Sequence, residues 1–137
     1  MNKVLPLLIV LAFAGCKKDN DATGLLTRSW QITAIRVGNT ISSSPNSCIE
    51  NRIWTFQKDG SFLSEPSPNC TPGGADFIIN GTWNLVDNKT LKIEGGGSLE
   101  AQIVLLTKSR LVLRREANLG GGGGSRLEET IFEFASK

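Results

Sequence analysis

The chain has no histidine and no tyrosine, and its single methionine stands at the start. Without an imidazole there is no His-based acid or base, no His-ligated metal site, and neither a Ser-His nor a Cys-His nucleophile pair. Most common enzyme designs are thereby excluded. Charge of one sign is lacking too, since 15 Lys plus Arg stand against 13 Asp plus Glu for a net charge of +2. These charges are scattered, which leaves no electrostatic footprint for a nucleic-acid partner. The carboxylates Asp76, Glu94, Glu100 and Glu128-Glu129 fall in no catalytic motif, and they read, like Arg114-Arg115, as solvated charge at strand ends. The glycines of 120–124 lack the Lys-Ser/Thr of a phosphate loop and open no helix, so they read as a flexible connection. No catalysis, cofactor or metal is expected. What remains, 137 residues of which 39% are hydrophobic, suits one compact domain.

The first fifteen residues read as a signal peptide. Lys3 supplies a positive start, and the apolar stretch from Val4 to Ala14, broken only by Pro6, is too short to span a bilayer as a stable helix. It ends Phe13-Ala14-Gly15-Cys16, two small residues leading into a cysteine, which resembles the lipobox of bacterial lipoproteins. The resemblance implies that Cys16 becomes the first mature residue and carries a diacylglycerol thioether and an amide-linked acyl chain. Several chains together anchor where one cannot. Membrane lipid is then the first partner. Lys17-Lys18, in place of the Asp linked to inner-membrane retention, points to the outer membrane. The acidic residues Asp19 and Asp21 resemble tags that export lipoproteins to the cell surface, and they read equally as a solvated tether. Residues 16–24 are thus lipidated cysteine and tether, and 25–137 the folded domain, on the periplasmic or the surface face.

Allotting Cys16 to lipidation leaves Cys48 and Cys70 in an oxidising compartment, where they are expected to pair. Between them, 51–57 and 61–65 flank the turn Lys58-Asp59-Gly60 and read as a hairpin with Gly60 in the left-handed position. Its register sets Phe56 opposite Phe62, Trp54 opposite Ser64 and, by extension, Cys48 opposite Cys70. Further strands are read at 29–37, 77–86, 90–94, 99–107, 110–115 and 128–135, with room for one helical turn between Ala22 and Arg28. Connections this short cannot carry parallel crossovers, so an all-β antiparallel meander follows, and closing it into an eight-stranded barrel removes both edges.

Alternation gathers the rings on one face: Trp30, Trp54, Phe56, Phe62, Phe77, Trp83, Phe132 and Phe134 can all turn inward. The inner face of the sixth and seventh strands stays open between Val104, Leu106, Leu111 and Leu113 and the set Ile103, Leu105 and Val112. A Trp after Leu25-Leu26, then Cys48, the run Trp54-Thr55-Phe56-Gln57-Lys58-Asp59-Gly60, Cys70, Gly81-Thr82-Trp83 and a closing Phe132-Glu133-Phe134 resemble the bacterial lipocalin-like lipoprotein domains. The resemblance implies an eight-stranded up-and-down barrel, lipocalin-like, with an apolar cavity. Arg28 stands where lipocalins carry the Gly of Gly-x-Trp. For the late-strand Arg that often covers that Trp, Arg114, Arg115 and Arg126 are the candidates.

Two functions follow as expectations. The first is a membrane-anchored binding module for a small apolar or amphiphilic ligand, with Trp30, Trp54, Phe56, Phe62, Gly81, Trp83 and Phe134 as cavity wall. Gly81 either leaves room for the ligand or marks a bend. The second is a protein-interaction, inhibitor or envelope-assembly module that meets an envelope protein through loops 39–46 and 66–74, with a packed barrel as scaffold. The lipobox reading is checked by acyl labelling in a Gram-negative host: Cys16→Ser should abolish incorporation of labelled palmitate, and labelling that persists at another residue would refute the assignment.

Overall fold

Period-two alternation interrupted by Gly, Asn and Pro produces a sheet with one short helix before it. The structure, a computed structural model, describes residues 21–42, 48, 50–68, 70, 77–120 and 125–137. The signal peptide and Cys16, and parts of the loops 39–46 and 66–74, lie outside the described residues. Helix α1 (Ala22–Leu26) is followed by β1 (Ser29–Val37), β2 (Thr40–Ser42), β3 (Ile53–Phe56), β4 (Ser61–Glu65), β5 (Ile79–Val86), β6 (Thr90–Glu94), β7 (Ser98–Leu106), β8 (Arg110–Gly120) and β9 (Ser125–Ser136). Residues 22–24, read from sequence as tether, therefore belong to α1, whose N-terminus is capped by the Asp21 carboxylate.

Every neighbouring pair is antiparallel, and β1 pairs with β9, so the sheet closes on itself. β2 and β3 divide one edge of β1: β3 takes Ser29–Gln31 and β2 takes Ile35–Val37. The circuit β1-β3-β4-β5-β6-β7-β8-β9 is thus an eight-stranded barrel, with β2 as an addition that sequence reading did not foresee. The registers expected around Lys58-Asp59-Gly60 hold at Phe56↔Phe62 and Trp54↔Ser64, and the three-residue turn Asp87-Asn88-Lys89, which by the same rule sets Leu85 against Leu91 and Trp83 against Ile93, pairs them so. Gly60 takes φ +86 in the first of these turns, where Gln57 O accepts from Gly60 N. The Asp59 carboxylate accepts from both the hydroxyl and the backbone N–H of Ser61, which holds it below the ordinary carboxylate range.

Three expectations need correction. The 110–115 strand continues to Gly120, and its partner begins at Ser125, because the ladder runs on from Glu116↔Glu129 to Gly120↔Ser125. Charged residues there pair through their backbones, and no alternation announces them. Phe77 does not face the interior: β5 begins at Ile79, and Phe77 is 58% exposed. Trp30 is covered by Arg28, whose Cζ lies 5.6 Å from the ring centroid, and not by Arg114 or Arg115; Arg126 has no described side chain.

The inner face of β7 and β8 is settled by a bulge. Register shifts between Ile103 and Leu105, so Val104 is extruded and 57% exposed. Leu99, Ala101 and Ile103 point inward before the bulge and Leu106 after it, opposite fully buried Leu111 and Leu113. One extra residue inverts the phase, so neither set of alternating positions was right along the whole of β7. A second shift in β1, between Ile32 and Ala34, brings Ile35 inward after Trp30 and Ile32.

Outside the sheet, Cys48 and Cys70 form a disulfide with Cα atoms 4.9 Å apart, beyond the last β3–β4 pair Ile53↔Glu65. Closing this 22-residue separation contributes roughly 3 kcal/mol by restricting the unfolded chain. At Gly81, β5 and β6 approach so closely that an added Cβ would meet Glu94 O at 2.0 Å. Gly95 opposite is equally confined, a Cβ there meeting Gly81 Cα at 2.6 Å. Backbone on both sides leaves nothing to move aside. Gly81→Ala should therefore destabilise the fold by about 1–3 kcal/mol, read as a shift of the urea midpoint at unchanged slope; an unchanged midpoint would mean the strands can part without cost.

Candidate functional site

Up-and-down connectivity sorts the side chains by height. β1 rises from α1, so the turns after β3, β5 and β7 lie at the α1 end, and Gly38, the disulfide, Gly95–Gly97 and the β8–β9 connection lie at the other. The α1 end is filled. Leu26 sits beneath Trp30, both fully buried, and Leu26 O accepts from Trp30 Nε1 at 3.1 Å. Arg28 covers the Trp30 ring and donates to Lys108 O at 2.7 Å, tying the start of β1 to the β7–β8 turn. Phe56 stacks edge-on with Trp83 at 5.5 Å, and the indole Nε1 of Trp83 donates to Gln57 O.

Above this floor the interior is open. A cavity of about 300 Å³ is walled by Trp54 of β3, Phe62 and Ser64 of β4, Ile79 of β5, Ile93 of β6, Gly95, Gly96, Gly97 and Ser98 at the β6–β7 turn, Leu99 of β7 and Arg115 of β8. Trp54 is the hinge of the aromatic cluster, with ring centroids 5.5 Å from Phe62, 5.1 Å from Phe134 and 5.9 Å from Phe132. One side of its indole rests on the packed floor and the other faces the cavity.

Of the seven residues expected to form the wall, Trp54 and Phe62 line the cavity. Trp30, Phe56, Trp83 and Phe134 do not: they are 0, 1, 8 and 2% exposed and are buried in the floor. Gly81 is no opening either, since its missing side chain is occupied by the β6 backbone. Ile93 and Leu99 were within reach of sequence reasoning, because hairpin register carries the inward face from Trp83 to Ile93 and on to Leu99. Arg115, read as surface charge, is indeed exposed, but its inward direction was missed. It has the parity of Leu111 and Leu113, which places it inward where β8 leaves the packed region.

A second arginine is built into the mouth. Arg52, 7% exposed, donates from Nε to Ser64 Oγ at 2.8 Å and from Nη2 to Ser64 O at 2.7 Å and Phe77 O at 2.6 Å. Its guanidinium also lies over the Phe77 ring, 5.1 Å from the centroid. Burial lowers its pKa from the ordinary value, but guanidinium starts so high that it stays charged. A polar depression of about 210 Å³ on the outer face of β6, β7 and β8 contains Arg114, already engaged by Gln102 and Glu116.

The geometry agrees with the comparisons. The barrel superposes on a lipocalin-like protein from Bacteroides uniformis with a TM-score of 0.56 at 16% identity, covering 82% of this chain and 99% of that one. It also superposes on a deswapped triple mutant of bovine odorant-binding protein (TM-score 0.52, 17% identity, 82% and 74% coverage). Bovine odorant-binding protein in complex with a selenium-containing odorant is similar in the same way (0.53, 17%, 84% and 72%). At such identities the likeness is one of fold. No curated protein matches the chain significantly. Residues 26–113, from the buried leucine under Trp30 to the last packed position of β8, match the lipocalin-like domain, and the chain belongs to that family.

Proposed function

We propose that the barrel is a binding module for a small apolar or amphiphilic molecule, held at the outer membrane by acyl chains on Cys16. The observation that carries the reading is the cavity over Trp54 and Phe62: apolar rings and aliphatic side chains around a space that the floor residues do not fill. Its volume of about 300 Å³ is at the small end for ligand sites. That admits about ten non-hydrogen atoms, taking the ~30 Å³ that a molecule of liquid water occupies as the share of each. The odorant bound by the bovine relative supports the same use of the fold. The lipobox-like Ala14-Gly15-Cys16 supports the anchor, and the Cys48–Cys70 disulfide supports an oxidising compartment.

A second reading, docking of an envelope protein on the mouth loops, is favoured by Phe77 and Ile78, each 58% exposed at the rim. The two separate on one substitution. Leu99→Trp places a large ring in the cavity and leaves the rim unchanged, so it should weaken binding of a naphthylamine fluorophore at least tenfold with no loss of melting temperature. Fluorophore binding unaffected by this substitution, or absent from the wild type, would sink the cavity reading.

A further inference from the structure

We infer that the ligand of this cavity is an anionic amphiphile whose carboxylate is held by Arg115 while its apolar body lies on Trp54, Phe62, Ile93 and Leu99. This rests on the cavity being the binding site and assigns the chemistry of what enters it.

The wall is one-sided in its polar groups. Arg115 is the only charged residue among the cavity's described lining, and its side chain makes no ion pair or hydrogen bond with any described residue. The other basic residues of the upper barrel whose side chains are described are engaged: Arg114 by Gln102 and Glu116, Arg36 by Glu133, and Arg52 by Ser64 and Phe77. Cross-strand pairing sets Arg115 beside Thr130, which offers no charge. The nearest inward-parity acid by register, Glu128, is opposite Ala117, one inward step nearer the rim, and forms no ion pair with it. Ser64 adds a second donor. Its Oγ accepts from Arg52 Nε, which leaves its own proton to donate, and β4 lies half the circuit away from β8.

The lining thus supplies donors at two opposed points and no carboxylate between them. A neutral hydrocarbon filling the cavity would leave the guanidinium paired with water alone, and a cation would be repelled. A carboxylate accepts two parallel N–H bonds from a guanidinium, a pairing that neither of those ligands offers. Arg115 remains exposed, so the head group sits at the water boundary and the body points down onto the rings.

Octanoate and 1-octanol, which share a chain and differ in the head group, test this by displacement of the fluorophore at neutral pH. The wild type should bind octanoate roughly tenfold more tightly than 1-octanol. Arg115→Gln should remove that preference, chiefly by weakening octanoate, at an unchanged melting temperature, and Arg115→Lys should restore part of it. Equal binding of the two probes by the wild type, or a preference that survives Arg115→Gln, would overturn the assignment while leaving the cavity reading intact. Failure of both probes and the fluorophore to bind the wild type would remove the cavity reading as well.

Discussion

Closing a sheet of eight strands fixes the width of its interior, and that width governs the rest of the structure. Side chains can fill such an interior completely, or fill one half and leave the other free for a single small molecule. Here the allocation is uneven along the barrel axis. Trp30, Phe56, Trp83 and Phe134 converge on the α1 end together with Leu26, Leu91, Leu111 and Leu113. Too few large residues remain to occupy the opposite end, where Ser64, Gly95 and Gly96 stand on the wall. A cavity results from where the bulk is placed and needs no absence of aromatic residues.

The floor must bear the closure. The first β1–β9 pair, Trp30↔Ser136, lies at the bottom of the barrel, next to where Leu26 plugs it. Trp30 is held from below by the carbonyl of Leu26 and covered by Arg28, which also reaches Lys108 O across the β7–β8 turn. A cation drawn from two residues before the Trp thus performs the covering that the family resemblance assigns to a late strand. It follows from the substitution at 28 itself: where lipocalins carry a Gly, this chain has a long side chain next to the ring.

How much of this could be read in advance depended on whether local chemistry or the path of the chain decided it. Short turns fixed registers, because Lys58-Asp59-Gly60 and Asp87-Asn88-Lys89 permit few geometries and every inward pair of those hairpins follows. Bulges were invisible, since an extruded Val104 looks like any strand valine and only the reversed burial beyond it reveals the shift. Gly81 could be seen to matter but not why; its reason is the backbone of a different strand. Phe77 misled because alternation was carried past the first β5 pair, Ser64↔Ile79, where the sheet no longer imposes it. Arg115 was hidden by the same ambiguity that left the inner face of β8 open.

The two inward arginines at the mouth show how one residue type serves two ends. Arg52 has its charge absorbed: two carbonyls, a hydroxyl and an aromatic face surround a guanidinium that burial would otherwise penalise. In return it ties the end of β4 to Phe77, two residues before β5, on the side of the barrel where the disulfide joins the neighbouring loops. That side of the mouth is held by covalent and charge-assisted links whether or not a ligand is present. Arg115, on the opposite wall, has no such role to discharge. With Arg52 spent on the fold and the Arg115 side chain unpaired among the described residues, the head group proposed above would meet a cation that the fold itself does not use.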